Sequence, residues 1–563
     1  MAGVAGAIGA SVTVRAATAD RPRPHLPPQR AVSRRPNILL IVTDQERHPS
    51  LLPDGLALPH RDRIYGRATR FSNMNVVSGL CSIARGNIYT GQHYQHNGVY
   101  ENLPIPFAQE LWKSVPTMGT LMQDLGYETA YFGKWHLTRL LHNEVGTAEM
   151  SRLFRDYGFD VSNQRGELDG PGAGHVNDMG TARTAAAYVR SRRSTARPWF
   201  TAVNLVNPHD IMFFLATQRQ YETFVKLPFA GTGLQAAPAD PLYGEDLGLP
   251  LLPNFGRAAD GPVPPAHDLY RRLNDAGLGR IPDDDLDAWR TYENYYLNCL
   301  RDVDRSIGTV LDAVDETDGW KDTVVVLLSD HGELSGAHGL RGKGNLVYRE
   351  NCHVPFAIAH PDIPGGGERA ALASQIDLVP TLLSLAGVDR ATLRTTMPGI
   401  VGHDLTRAVT APAEDVHGAG RKAALYQWDS RIYSAPDAPR RTAEAFQHSP
   451  LVRQWKLLTE VAPESMKYRH SMRGSFDGRY KFARYFKPGE HHIPVSLADL
   501  RARNDLELYD TANDPMEQRN LAADPAAQHS LWRMAQVTNA LMAEEIGPDD
   551  VGVLPGPSFF WTA

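Results

Sequence analysis

Cysteine is scarce in this chain: 563 residues carry only Cys81, Cys299 and Cys352. Three thiols exclude a disulfide framework, so stability has to come from a buried core. Cys299 and Cys352 read as small buried hydrophobes. Long apolar runs are missing too. None reaches the roughly 18 residues of a membrane span, so no spanning helix is expected. Positive charge is not in excess: 58 Lys and Arg face 64 Asp and Glu, for a net charge of −6. A nucleic-acid binder would need a basic face. An anionic ligand would therefore have to be held by a local cluster, not by the overall field. The sequence shows no internal repeat.

What is present is enough apolar material to fold. Hydrophobic residues make up 42% and charged residues 22%, and the length suits one large domain plus a smaller one. The first residues are small and apolar, and Ala17-Thr18-Ala19 fits an A-x-A cleavage site, but a charged start is lacking. Residues 1–35 thus read either as a signal-like segment or as a disordered linker. The protein would be exported (periplasmic or secreted) in the first case and cytoplasmic in the second. Residues 36–410 read as a large α/β domain in which 217–284, rich in Pro, Gly and Asp, form an insertion or lid. Residues 411–546 read as a smaller α+β domain and 547–563 as a tail. The tail ends in Ser558-Phe559-Phe560-Trp561, aromatic enough to suggest a contact in a homo-oligomer.

Three short, continuously apolar runs read as strands buried on both faces. Asn37 to Thr43 stops at Asp44-Gln45, Trp199 to Val206 stops at Asn207-Pro208-His209-Asp210, and Thr323 to Leu328 stops at Ser329-Asp330-His331. Helical patterns lie between them, at Pro116 to Leu125 and Asp285 to Val314. This alternation predicts a large, mostly parallel sheet sandwiched by helices. Ligands in such sheets bind beyond the carboxyl ends of the strands, where Asp44, His209, Asp210, Asp330 and His331 would gather. Ser78-Gly79 and Thr90-Gly91 bracket a further helix. Cys81 would sit in its first turn, where amides and the helix dipole favour a thiolate or anion. Arg85, four residues on, shares that face and could hold an oxyanion there. In Gly133-Lys134-Trp135-His136, strand alternation would put Lys134 and His136 on one face. Asp44, Gln45, Asp330 and His331 offer hard oxygens and one imidazole, a set suited to Ca²⁺ or Mg²⁺.

Taken in order, NILLIVTDQ, CSIARGNIYTG, GKWHL, NPHD, LLSDHGE, Lys343 leading into Tyr348-Arg349-Glu350, and Glu507-Leu508-Tyr509-Asp510 with Asn513-Asp514-Pro515 resemble the type I sulfatases of the alkaline phosphatase superfamily. The resemblance spans nearly the whole chain from Pro36. It implies hydrolysis of a small-molecule sulfate ester. Cys81 would be oxidised by a formylglycine-generating enzyme to formylglycine, whose hydrate is the nucleophile. Asp44, Gln45, Asp330 and His331 would hold the divalent ion, usually Ca²⁺, with Mg²⁺ or Mn²⁺ as alternatives. Arg85 would orient the hydrate, and Lys134, Lys343 and His209 would neutralise the oxyanion. Lys343 or His209 would protonate the leaving oxygen, and His136 would act as base for release of sulfate. Trp135, Asp210, Phe213 and Phe214 are candidates for contacting the alcohol.

The sequence departs from the family signature C-x-P-x-R at Ile83, where Pro or Ala is usual, and at Ala84, where Ser is usual. Two alternatives stay open beside the sulfatase reading. One is a phosphonate monoester or phosphodiester hydrolase of the same fold. The other is a transferase or binding protein that uses unmodified Cys81.

Overall fold

The computed structural model describes residues 22–27, 35–103, 108–139, 147–163, 168, 170–193, 197–224, 233–256, 260–365, 367–411, 420–430, 441, 444, 456 and 466–549. The signal-like segment of residues 1–19 and the aromatic end of the tail lie outside them.

The three apolar runs form the centre of an eight-stranded sheet. Its strands are β1 (Asn37–Asp44), β2 (Ala68–Asn75), β3 (Glu128–Gly133), β4 (Val161–Ser162), β5 (Trp199–Pro208), β6 (Thr323–Ser329), β7 (Phe356–Ala359) and β8 (Glu368–Ser374), in the order β4-β3-β5-β1-β6-β7-β2-β8. Every pairing is parallel except those of β7, which runs against β6 and β2. β1 lies between β5 and β6, which aligns Asp44, the end of β5 and the end of β6 along one edge.

The continuous apolarity of these strands follows from burial on both faces. The principal helices are α1 (Cys81–Thr90), α2 (Ala173–Ser191), α3 (Pro265–Leu278), α4 (Leu286–Glu316), α5 (Leu378–Leu385) and α6 (Gln528–Leu541). Leu39, Ile41, Val203, Val325 and Leu327 pack with α2 and α4. Ile38, Leu40, Val42, Val324 and Val326 face the other way, in one cluster with residues of α1 and α5. Successive side chains of one strand thus belong to two cores, as the period of two requires. The long helical pattern is α4, started by the Asp285 side chain, which accepts from the Ala288 amide.

A second sheet is antiparallel, with β9 (Ala424–Trp428), β10 (Ser471–Phe476), β11 (Tyr480–Phe486) and β12 (Asp505–Asp510) in the order β12-β11-β10-β9. Helix α6 covers it through Leu531, Met534 and Ala535 against Phe482 and Leu508. The architecture is therefore the predicted one: a mixed, mostly parallel sheet between helices, plus a smaller antiparallel sheet. Among the described residues, no helix is long and apolar enough to cross a membrane.

Candidate active site

The site forms where β1, β3, β5 and β6 end. β1 delivers Asp44 and then turns sharply, with Gln45 at φ 73°. β3 ends at Gly133, whose φ is 93°. A Cβ there would lie 1.9 Å from the Asn204 carbonyl oxygen, so only glycine lets β3 close against β5. The chain then turns inward, and the Lys134 amide donates to that same carbonyl at 3.1 Å. Helix α1 begins at Cys81, which places the thiol at the first helical position. Its other end is closed by Gly91 in the left-handed region, whose amide donates to Asn87.

These elements converge on Cys81, which is only 1% exposed. Lys343 Nζ lies 2.8 Å from its sulfur, His331 Nε2 3.2 Å, Asp44 Oδ1 3.7 Å and Lys134 Nζ 3.8 Å. Lys134 pairs with Asp44 at 2.8 Å. Arg85, fully buried, reaches Asp330 at 3.0 Å, Asp44 at 3.1 Å, the Lys134 carbonyl at 2.9 Å and Asn204 Oδ1 at 3.1 Å.

The charges are strongly coupled. Burial opposes ionisation of Asp44, but Lys134, Lys343, His209 and Arg85 hold it well below the usual carboxylate range. Asp330 goes the other way: burial and the Asp44 carboxylate push it up to about 6. Burial and Asp44 would raise the Cys81 thiol, yet Lys134, Lys343 and His331 bring it well below an ordinary cysteine. Burial lowers His209, and Lys134 and Lys343 lower it further.

This donor set fits a hard divalent ion. One ligand atom from each of Asp44, Cys81, Asp330 and His331 falls within a 4.8 Å group. The Gln45 side-chain oxygen is buried and accepts no hydrogen bond, while its amide nitrogen is fixed on Glu333 at 2.5 Å. A buried oxygen without a donor, on the residue whose backbone amide donates to Asp330 at 3.1 Å, is what an oxygen-preferring cation would satisfy.

Several sequence expectations need correction. Arg85 spends its guanidinium on Asp44, Asp330, Asn204 and a carbonyl, so it orients the carboxylates and does not offer an open fork to an oxyanion. Trp135 is fully buried among Tyr89, Tyr131, Phe154, Tyr157 and Phe159, which leaves it no face for substrate. Both Asp210 oxygens are buried and accept the Gly174 and His175 amides at 3.0 and 2.9 Å, so Asp210 fixes the chain after β5. Phe214 stacks on Tyr295 at 3.9 Å in a separate core. Phe213 packs beside His209, its ring 5.8 Å away, and alone of the four adjoins the site. Strand alternation does not govern Lys134 and His136, because β3 has ended and His136 has φ 57°. His136 Nε2 instead bonds the Leu103 carbonyl, which makes Nδ1 the basic nitrogen of the neutral ring.

Other contributors went unread. Asn204 joins Arg85 to Tyr89, whose hydroxyl donates to it at 2.8 Å. Asn102 accepts the Ser82 amide at 3.1 Å. Glu333 binds the Gln45 amide and the backbone of Ser335 and Gly342. A polar residue inside the run TAVNLV was the signal for Asn204. Nothing local marks Asn102.

A model of the sulfatase family matches residues 36–388. The chain belongs to the sulfatase family. It is a sulfuric ester hydrolase by that membership. It is 25% identical to the delta 4,5-hexuronate-2-O-sulfatase of Bacteroides thetaiotaomicron, over 87% of this chain and 85% of that one. It is 24% identical to the choline-sulfatase of Rhizobium meliloti, over 65% of this chain and 70% of the relative. Among solved structures, a 2-O GAG sulfatase superposes with a TM-score of 0.63 at 22% identity, covering 91% of this sulfatase and 93% of that chain. The phosphonate monoester hydrolase of Agrobacterium radiobacter shares the fold as well, with a TM-score of 0.61 at 19% identity over 91% and 96% of the two chains.

Proposed function

We propose that this sulfatase cleaves a sulfate ester with Cys81, matured to formylglycine, as nucleophile and a divalent ion, Ca²⁺ by the hardness of the ligands, held by Asp44, Gln45, Asp330 and His331. The observation that carries this reading is the pair of lysines on either side of Cys81. They supply two positive charges in a pocket where a transferred sulfuryl group would develop negative charge. The ion would polarise the ester and the hydrated aldehyde.

The chain's own groups divide the remaining work. Arg85 locks Asp44 and Asp330 in place. Lys134 and Lys343 neutralise the sulfuryl oxygens. His209 is kept neutral by burial beside two lysines, so Lys343 is the donor to the departing alcohol oxygen. His136, with Nε2 tied to the Leu103 carbonyl, offers Nδ1 as base for release of sulfate. Phe213, whose ring lies 5.8 Å from that of His209, would meet the alcohol. The uronic acid and choline esters named for the relatives show how varied that alcohol is within the family.

A second reading, in which Cys81 acts as an unmodified thiolate, is favoured by Ile83 in the modification motif and by the depressed thiol. Mass spectrometry of the peptide Phe71 to Arg85 separates the two. Formylglycine in active protein supports the first reading, and a free thiol in fully active protein overturns it. An aryl sulfate assayed against an aryl phosphonate, with and without Ca²⁺, tests the reaction class. Faster phosphonate cleavage would overturn the sulfatase assignment of the site.

A further inference from the structure

A second cavity, of about 730 Å³, opens between the large sheet and the antiparallel sheet. It has none of the residues around Cys81 in its wall. One side comes from the segment after β1 and from β2, another from Arg349 and His353, and the far side from Phe476 and Lys481 of the smaller sheet. Its volume is that of a small-molecule site, typically a few hundred to a thousand cubic ångströms.

Its chemistry is defined by two arginines. Arg349 donates to the Pro515 carbonyl at 2.7 Å and to Ser50 Oγ at 3.3 Å. Among the described residues, no carboxylate lies within ion-pair distance of its guanidinium. Its Nε is buried without a partner, as is the Nε of Arg70. Arg70 has only a loose pair, with Glu368 at 3.7 Å. Between them lies a stack of two imidazoles, His48 on His353, with centroids 3.9 Å apart. Both rings are kept uncharged. Burial, Arg349 and Arg70 take His48 down to about 3, and burial with His48 and Arg349 takes His353 well below its usual value. The other cations of the wall are matched internally: Arg61 by Glu46 and Asp304, Lys481 by Glu517. The exposed acids Asp54 and Asp62 stand at the rim.

Two arginines in one wall, one without a carboxylate and one only loosely held by Glu368, can recognise a carboxylate or sulfate group. Neutral stacked rings offer a flat face for an apolar ring surface. Rim carboxylates accept hydrogen bonds from hydroxyls. We propose that this cavity is a second binding site for an anionic saccharide, with the anionic group on Arg70 and Arg349 and the sugar hydroxyls toward the rim acids. The site would hold a charged sugar apart from the reacting ester. The proposal does not depend on the state of Cys81.

Calorimetric titration of the full-length Cys81→Ala protein tests it, with glucuronic acid, a sulfated uronic acid-containing disaccharide, inorganic sulfate and neutral cellobiose as probes. The sulfated disaccharide should occupy two sites and glucuronic acid one. Arg70→Gln with Arg349→Gln should weaken that second site more than tenfold. In the otherwise unaltered protein, the same pair should leave turnover of a small aryl sulfate unchanged. Glu368→Gln, at an exposed position, should tighten binding by freeing Arg70, and it guards against misfolding of the double variant. Inorganic sulfate binding as tightly as glucuronic acid at the site that Arg70→Gln with Arg349→Gln removes would reduce it to a simple anion trap and overturn the saccharide assignment. Equal binding of cellobiose, or affinity untouched by both sets of substitutions, would overturn it as well.

Discussion

Two buried charge clusters sit a few residues apart in this sulfatase, and they are built on opposite principles. In the first, Arg61 meets both Glu46 oxygens, at 2.9 and 2.7 Å, and Asp304 at 2.9 Å. Asp304 also accepts the His60 and Arg61 amides, and Thr43 Oγ1 donates to Glu46. Each charge there is surrounded by its complement, and Arg61 is held more firmly protonated than usual despite burial. In the second, around Cys81, like charges are forced together. Lys343 and Lys134 share one thiol, Asp44 crowds Asp330, and the Gln45 oxygen has no donor. Burying unmatched charge costs free energy unless something else completes it. The first cluster is finished by folding. The second would be completed by the divalent ion and anionic substrate proposed above, and a perturbed cluster of this kind marks a candidate functional site.

The sharpest way to break this contrast is to remove the nucleophile. Cys81→Ala should abolish aryl sulfate turnover, by about 10⁴-fold or more, while unfolding free energy moves by no more than about 1 kcal/mol. Paired rate and denaturation measurements check this. A variant that lost stability in proportion to activity would mean that the second cluster is also structural.

Arg61→Met should do the reverse. It leaves Glu46 and Asp304 buried without their cation and should cost about 3–5 kcal/mol of stability. Specific activity of the folded fraction should fall far less than that of Cys81→Ala. Adding Glu46→Gln and Asp304→Asn should recover part of the loss, read from urea unfolding.

A third outcome comes from the pH dependence of the ion-free protein. Asp330 is raised to about 6 in the folded state, above its ordinary value. At Asp330 the folded protein therefore holds a proton that the unfolded chain releases between about pH 4 and 6, so this carboxyl's own contribution to stability falls as pH rises through that window, while the uncharged His48 and His353 contribute in the opposite direction. Ca²⁺ should remove the decline, because it favours the ionised carboxylate. Melting temperatures of the unaltered protein and of Asp330→Asn between pH 4 and 6.5, in chelator and in Ca²⁺, isolate this contribution. A stability advantage of the unaltered protein over Asp330→Asn that grew with pH in chelator would contradict the crowding of Asp44 and Asp330.

The two clusters also differed in how far they could be read from sequence. The second was largely visible, because each strand stops at a polar residue and those stops are all that the sheet edge needs. Asp44, His209, Asp330 and His331 met as the strand ends implied. What failed was extrapolation past an element's end. Gly133 turns the backbone, so Lys134 and His136 do not follow the alternation of β3, and Trp135 goes to the core as an aromatic among aromatics. The donors that orient the site, Asn204, Asn102 and Glu333, are single polar residues whose partners lie far along the chain, so no local pattern announces them. The Arg61 cluster was unreadable for the same reason: Glu46, Arg61 and Asp304 meet only after β1 and α4 pack. The second cavity depends on two sheets coming together, and its Arg349 could be seen only as part of a motif without a task.

The smallest change with a clear readout is at Ile83, where the site's chemistry and its own sequence disagree. Ile83 is the third residue of α1 and fully buried. The first intrahelical bond in this stretch runs from the Ala84 amide to the Leu80 carbonyl, so the Ile83 amide is one of the orphan donors of a helix start. Proline, which lacks that donor, is tolerated in a first turn. Ile83→Pro should therefore keep α1 intact and lose only part of the side chain's packing, about 1–2 kcal/mol. It restores the C-x-P-x-R signature. On co-expression with a formylglycine-generating enzyme, the converted fraction of Cys81 should rise, and specific activity should rise with it. Conversion already complete with Ile83 would show that the helix start accepts isoleucine without penalty. Higher conversion without higher activity would point instead to the thiolate as the working form of Cys81.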